Sequence, residues 1–142
     1  MLGPVFRAGD TYAIDPSISR EDAMAYWTAH HAYVAEENGA PLGTFYIRPN
    51  QQGGGAHVCN CGYITAEKAQ GKGVARAMLT FSLAEAKRLG FEAMQYNFVL
   101  ATNTRAIATW ERAGFDTIGR LPRAFLHPQA GYVDALVMYL EL

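Results

Sequence analysis

The chain has 142 residues, which suits a single domain, and a domain of this size buries roughly 68–70% of the surface that its unfolded chain exposes. Half of the residues are hydrophobic and 18% are charged, which excludes a disordered or fibrous chain, and a net charge of −1 with scattered basic residues argues against nucleic acid as the main partner. No apolar run approaches the ~18 residues of a membrane helix and nothing resembles a signal peptide, so we predict one cytoplasmic domain over residues 1–142 with no membrane partner.

Local sequence signals divide the chain into alternating strands and helices. Residues 1–16 are predicted as loop with at most a short strand. Ser19 opens an acidic variant of the capping box, which begins a helix, and Asn38-Gly39 is a strong hairpin signal. Residues 49–56 are predicted as a flexible connection because they contain three consecutive glycines. The predicted helices span 19–29, 74–89 and 104–113, and the predicted strands span 31–36, 42–48, 57–65, 93–100, 115–121 and 132–140.

This order is a strand hairpin followed by β-α-β-α-β-β, with a proline-bearing loop through Pro122 and Pro128 between the last two strands. It predicts an α/β fold in which one mixed sheet has both antiparallel and parallel neighbours and helices on both faces.

The two cysteines are predicted to be reduced and buried. Cys59 and Cys61 lie two residues apart in a predicted strand, so both sulfur atoms face the same side. A disulfide between such positions would be badly strained, and a second cysteine pair for a zinc site is absent from the sequence. We therefore predict two packed thiols and no bound metal.

A glycine-rich segment between a strand and a long helix carries the strongest chemical signal. Its glycines let successive backbone N–H groups point into one concave site, and the helix N-terminus adds positive partial charge. Such a cradle suits a phosphate or pyrophosphate, although glycines before a helix are also common in simple tight turns. The segment is Gln70-Gly71-Lys72-Gly73-Val74-Ala75-Arg76.

The segment matches neither the P-loop pattern nor the G-x-G-x-x-G dinucleotide pattern. It fits [Q/R]-x-x-G-x-[G/A] at Gln70, Gly73 and Ala75, and so resembles the acetyl-CoA pyrophosphate loop of the GCN5-related N-acetyltransferases (GNAT superfamily). Residues 103–115 resemble the second signature of the same superfamily, N-x-x-A-x-x-x-Y-x-x-x-G-F, and Asn103 keeps its register. The resemblance covers roughly residues 31–142, and the short front end implies that the first strand is reduced or missing.

The resemblance implies a GNAT fold with a central sheet splayed in the middle and acetyl-CoA as co-substrate. The pyrophosphate would lie on the backbone of residues 70–76, and the pantetheine arm would pair like an extra strand with the backbone at Tyr63, Ile64 and Thr65. Asn103 would hold the pantetheine or its neighbouring backbone. A small amine would attack the thioester directly in a ternary complex, driven mostly by positioning.

Trp110 departs from the second signature, in which a tyrosine commonly protonates the leaving thiolate. An indole N–H donates a hydrogen bond but is not a useful acid near neutral pH. The general acid is therefore left open among Tyr132, Tyr139, Tyr96 and a water molecule, while a thiol with a pKa near 8.5 is a tolerable leaving group without one.

The general base is equally open. No glutamate lies on the third strand, so Glu36, Glu37 or a water chain near the Asn60 carbonyl are the candidates.

Three further segments resemble the yeast-type acetyltransferases that act on proline analogues such as azetidine-2-carboxylate: residues 57–63, 96–103 and 133–135. The resemblance implies that Asn60 and Asn97 help to bind an amino-acid-like acceptor. Asparagine is disfavoured inside strands, so two of them on neighbouring strands suggest a polar site, although a structural role in a bulge would also account for them.

The sequence thus predicts an N-acetyltransferase for a small amine, and the most specific prediction for this acceptor is a proline-like imino acid. A non-catalytic acyl-CoA-binding module and an acetyltransferase for a peptide or protein amine are the alternatives. A thiol enzyme is disfavoured because no histidine is placed by sequence to activate Cys59 or Cys61. A homodimer is left open.

Overall fold

The computed structural model describes all 142 residues. The strands are β1 (His31–Glu37), β2 (Ala40–Pro49), β3 (Val58–Thr65), β4 (Ala93–Leu100), β5 (Asp116–His127) and β6 (Gly131–Glu141), and the helices are α1 (Leu2–Ala8), α2 (Arg20–Thr28), α3 (Val74–Arg88) and α4 (Thr104–Arg112). The predicted α/β class is confirmed. The predicted start of α2 is also confirmed, because the Ser19 side chain accepts a hydrogen bond from the backbone N–H of Asp22.

The six strands form one mixed sheet in the order β1-β2-β3-β4-β6-β5. All neighbours are antiparallel except β3 and β4, which run parallel. These two strands pair only at Val58 with Ala93 and at Cys59 with Met94, and then diverge. The predicted splay is therefore present, and it leaves the β4-facing edge of β3 without a strand partner beyond Cys59.

Each face of the sheet carries its own apolar cluster because side chains alternate along the strands. On one face, α3 and α4 cover a cluster that includes Ile47, Met94 and Met138, all 0–2% exposed. On the other face, α1 and α2 contribute Phe6 and Trp27 to a smaller, aromatic cluster. No helix is long and apolar enough to cross a membrane.

The prediction that residues 1–16 are loop was wrong. Residues 2–8 form α1, and Phe6 on it is 1% exposed, with its ring 6.2 Å from that of Trp27. The Gly3-Pro4 pair does not prevent the helix, because proline in a first helical turn removes no helical hydrogen bond. Two helices thus precede the first strand of the sheet.

The end predicted for the fifth strand was also wrong. β5 continues past Leu121 and Pro122 to His127, with a register shift between Leu121 and Phe125 where Arg123 has a φ of 52°. β5 is an edge strand, and edge strands and bulges accept a proline because no ladder bond is lost there. Residues 49–56, predicted as a flexible connection, contain a short 3₁₀ turn at Gly53–Gly55.

Candidate active site

A large cavity of about 1030 Å³ opens between the diverging end of β3, the N-terminus of α3 and α4. Six of the seven residues of the glycine-rich segment line it, and Lys72 is the exception. Tyr63, Ile64, Thr65 and Asn103 also line it. The structure therefore brings all the residues predicted to contact acetyl-CoA, except Lys72, to one cavity.

The start of α3 has the geometry of an anion cradle. Gly71 and Gly73 have φ values of 75° and 79°, in the left-handed region that side chains avoid. A Cβ added at either position would meet no atom within 4 Å, so the space above the loop is open to a ligand. The first backbone bond of the helix is donated by Ala77 to the Gly73 carbonyl, which leaves the earlier N–H groups of the turn free to bind an anion.

The charges around this cavity favour a ligand with several negative charges. Arg76, Lys87, Arg105 and Arg112 line it, and no aspartate or glutamate does. The cradle and the four cations together fit the pyrophosphate and phosphate groups of acetyl-CoA.

The backbone N–H and C=O groups along β3 point alternately toward β2 and toward the gap that opens between β3 and β4. The Asn50 N–H donates to the Val58 carbonyl, and the Ala66 N–H donates to the Leu42 carbonyl. In an antiparallel pair the hydrogen-bonded positions recur at every second residue, so the backbone groups of even-numbered residues of β3 face β2. The backbone groups of Tyr63 and Thr65 therefore face the gap. Those of Ile64 face β2, so Ile64 does not offer the backbone pairing that was expected of it.

A second, smaller cavity of about 220 Å³ continues from the first on the face that carries α1 and α2. Asn60 and Asn97 both line it, so the structure brings the two asparagines together as predicted. The two cavities meet at a set of shared residues: Thr11, Tyr12, Tyr63, Asn103, Ala106 and Trp110.

Asn60 is 7% exposed and lies where β3 and β4 begin to diverge. Its Nδ2 donates to the Gln95 carbonyl at 3.0 Å, and its Oδ1 accepts from the Tyr46 hydroxyl at 3.2 Å. One amide hydrogen and one lone pair remain for a ligand.

Asn97 is exposed and lies in a bulge of β4 between Tyr96 and Val99. Its Nδ2 donates to Asn50 Oδ1 at 2.6 Å, and its Oδ1 accepts from Gln95 Nε2 at 2.9 Å.

Trp110 lies at the junction of the two cavities and is 8% exposed. Its ring is 5.1 Å from the rings of both Tyr63 and Tyr96. The indole N–H makes no hydrogen bond within the protein and yet is not sealed from solvent. It is thus a free donor at the place where the cavities join.

The structure narrows the candidates for acid and base. Of the three tyrosines considered, only Tyr96 lines either of these two cavities. Burial raises the pKa of Tyr96 well above its ordinary value, so it donates a hydrogen bond more readily than a proton. Glu36 and Glu37 line neither cavity.

The cysteines are two free, buried thiols, as predicted. Burial raises the pKa of the Cys59 thiol to about 12 and also raises that of Cys61, whose thiol donates to the Tyr46 carbonyl. Both therefore stay protonated near neutral pH and are poor nucleophiles.

Sequence reasoning missed two residues of the site. The Tyr12 hydroxyl donates to the Tyr63 carbonyl at 2.9 Å at the cavity junction, and burial raises the pKa of this phenol. Arg48 lines the small cavity from the end of β2. Neither belongs to a motif, and only the folded arrangement brings them to the site.

Comparison with known proteins agrees with this geometry. The model of the acetyltransferase (GNAT) family matches residues 7–115. The chain belongs to the GNAT acetyltransferase family. Its membership makes it an acetyltransferase, and the splayed sheet with an anion cradle on α3 is the site at which this family is expected to act.

Individual relatives extend the likeness over nearly the whole chain. The chain is 32% identical to N-acetyltransferase aca1 of Schizosaccharomyces pombe over 91% of its own length and 71% of that protein. A GCN5-related N-acetyltransferase from Kribbella flavida is 39% identical and superposes with a TM-score of 0.94, covering 99% of this chain and 87% of that one. The structure of yncA from Salmonella typhimurium with its cofactor acetyl-CoA shares the fold at 21% identity and a TM-score of 0.84, covering 99% and 83% of the two chains.

Proposed function

We propose that the protein transfers the acetyl group of acetyl-CoA to the amine of a small zwitterionic acceptor, and that this acceptor is a proline-like cyclic imino acid. One observation carries the proposal: a small cavity with two asparagines on its wall adjoins the large cationic cavity and shares Trp110 and five other lining residues with it. A thioester lying along the large cavity would present its carbonyl carbon to an amine held in the small one.

The size of the small cavity supports a small acceptor. At about 30 Å³ for each water-sized group, a volume of about 220 Å³ holds roughly seven such groups. A cyclic imino acid has about that number of non-hydrogen atoms, whereas a peptide or an aminoglycoside would extend into solvent.

The reaction needs little from protein acids or bases. The ammonium group of the zwitterionic acceptor first loses one proton to water. The neutral nitrogen then forms a bond to the thioester carbon, the carbon–sulfur bond breaks, and the thiolate takes up, through water, the second proton that the nitrogen loses. Because a thiolate of pKa near 8.5 is a stable leaving group, positioning supplies most of the acceleration. The residues near the reacting atoms are hydrogen-bond donors, among them the indole N–H of Trp110.

The decisive experiment is a thiol-release assay with acetyl-CoA and a panel of acceptors: amino acids, cyclic imino acids, amino sugars and peptides. We expect release with azetidine-2-carboxylate or proline-like acceptors at a kcat/KM at least tenfold above that for the other classes. Acetylation of peptides or aminoglycosides alone would refute the acceptor. Acetyl-CoA binding without release for any acceptor would instead favour the non-catalytic acyl-CoA-binding module, for which the missing tyrosine at position 110 is the supporting observation.

A further inference from the structure

Arg48 is a cation without an acidic partner in the wall of the small cavity. The ion pairs of the chain join Arg88 to Glu85 and Arg120 to Asp134, and neither involves Arg48. Among the residues that line the small cavity, Arg48 is the single charged side chain. Arg48 is half-buried and has no carboxylate partner in the protein, so a carboxylate on a ligand would supply its counter-ion.

The guanidinium of Arg48 is held in place by two aromatic rings. Its Cζ lies 4.8 Å from the ring centre of Tyr26 and 4.5 Å from that of Tyr46. Its Nη2 donates to the Tyr26 hydroxyl at 3.0 Å and to the Tyr46 hydroxyl at 3.2 Å. The N–H groups on Nε and Nη1 have no partner in the protein, and they are not sealed from solvent. The guanidinium is therefore held in one orientation, and its N–H groups on Nε and Nη1 are free to bind a ligand.

The sheet register places this cation beside the predicted substrate residue Asn60. Arg48 and Asn60 are cross-strand partners in the β2–β3 ladder, so their side chains share one face. The Tyr46 hydroxyl joins them, because it accepts from Arg48 and donates to Asn60 Oδ1. Gly62 makes this possible: a Cβ at that position would lie 2.6 Å from the Tyr46 ring.

We infer that Arg48 binds the carboxylate of the acceptor and makes the enzyme selective for carboxylate-bearing amines. A guanidinium offers paired N–H donors that match the two oxygens of a carboxylate. An acceptor that brings its own carboxylate supplies the missing counter-ion, whereas an amine without one would place its positive charge near an uncompensated cation. This inference rests on the proposed function, and it adds the residue that selects the acceptor.

The test compares two acceptors that differ only in charge, L-azetidine-2-carboxylate and its primary amide. For the acid, Arg48→Gln is expected to lower kcat/KM by about 10- to 150-fold, mostly through KM, because a hydrogen bond to a charged group is lost. For the amide, the same substitution is expected to change kcat/KM by less than about threefold. Arg48→Lys keeps the charge and is expected to fall between the two. Arg20→Gln, on the exposed start of α2, is the matched control and should leave both acceptors unchanged.

A purely structural role of Arg48 gives a different result, because equal losses for the acid and the amide would then follow from a displaced Tyr46. That outcome overturns the inference, as does an unchanged kcat/KM for the acid in Arg48→Gln. If Arg48→Gln fails to fold, the wild-type ratio of kcat/KM for the acid to kcat/KM for the amide decides. A preference for the amide, or no preference, overturns the inference. Equal losses for the two acceptors, or an unchanged kcat/KM for the acid, leave the proposed imino-acid acceptor standing. A wild-type preference for the amide, or wild-type acetylation of peptides alone, would overturn both the inference and the proposed zwitterionic acceptor.

Discussion

The indole of Trp110 lines both cavities and is not a useful acid near neutral pH. Its ring packs between Tyr63 and Tyr96, and its N–H is free at the cavity junction. Phenylalanine at this position would keep most of the packing and remove only the donor. We expect Trp110→Phe to lower kcat by no more than about tenfold, or ~1.4 kcal/mol of activation free energy.

Steady-state kinetics on the folded variant check this expectation, with Trp110→Tyr as the companion that restores a hydroxyl donor. A thousandfold loss in Trp110→Phe would mean that the indole stabilises the transition state far more than one neutral hydrogen bond can.

The two asparagines are expected to respond differently to truncation. Asn97→Ala removes an exposed side chain and should lower kcat/KM by about 10- to 150-fold, or about 1.5–3 kcal/mol, if the amide binds a charged group of the acceptor. Asn60→Ala should show a similar loss in kcat/KM. It should also lower the free energy of unfolding by about 1–2 kcal/mol, because the half-buried Gln95 carbonyl loses its hydrogen-bond donor.

Acceptor kinetics, chemical denaturation and acetyl-CoA calorimetry separate these effects. Acetyl-CoA affinity should stay near wild type in both variants. Normal acetylation of the preferred acceptor by both variants would remove the asparagines from the acceptor site.

The sequence motifs predicted residues that line the large cavity, and sequence reasoning missed Tyr12 and Arg48, which line the small one. Gly73 and Asn103 could be found because they belong to recognisable motifs. Tyr12 lines the small cavity from a segment that was predicted as loop, and Arg48 lines it from the end of β2. Their contacts depend on the β2–β3 register and on the packing of the N-terminal helices, and no local pattern encodes either.

At the scale of one element, the first turn of α3 is expected to bind the pyrophosphate of acetyl-CoA with its backbone N–H groups. The test is therefore to add a side chain at a position where glycine has none. Gly73→Glu adds a carboxylate to the open space over the loop, where the pyrophosphate is expected to lie. We expect it to abolish measurable acetyl-CoA binding in calorimetry.

Gly73→Ala is the matched control, because it carries the same strain of about 1–2 kcal/mol at a φ of 79° without the charge. It should bind acetyl-CoA more weakly than wild type but detectably. Unchanged affinity in Gly73→Glu would mean that the loop is only a turn.

Errors at the scale of elements have a common physical origin. Gly3-Pro4 and Pro122 favour loops by local preference, yet a helix contains Gly3-Pro4 and a strand contains Pro122. In each case the local penalty is small, because the first helical turn and an edge bulge have no hydrogen bond to lose. Burial of Phe6 against Trp27 then outweighs the weak local preference.

At the scale of the whole molecule, the sheet consists of two halves, β1-β2-β3 and β4-β6-β5, that pair at only two positions. A ligand in the gap would contact β3 and α3 on one side and α4 on the other, and would therefore add links between halves that the strands do not provide. Acetyl-CoA should accordingly stabilise the fold as well as supply the acetyl group.

Linkage gives the size of this effect. At 100 times its Kd, acetyl-CoA should add about 2.7 kcal/mol to the free energy of unfolding, which corresponds to roughly 8–12 °C in Tm for a domain of this length. Adenosine 3′-phosphate 5′-diphosphate, which keeps the pyrophosphate, should raise Tm less at the same concentration, because it lacks the arm that is expected to reach the backbone of Tyr63 and Thr65. Thermal denaturation of wild type and of Gly73→Glu measures both, and the variant should show no rise with either ligand. Equal shifts with the two ligands would show that the gap along β3 adds nothing to binding, and the backbone pairing assigned to that edge would have to be abandoned.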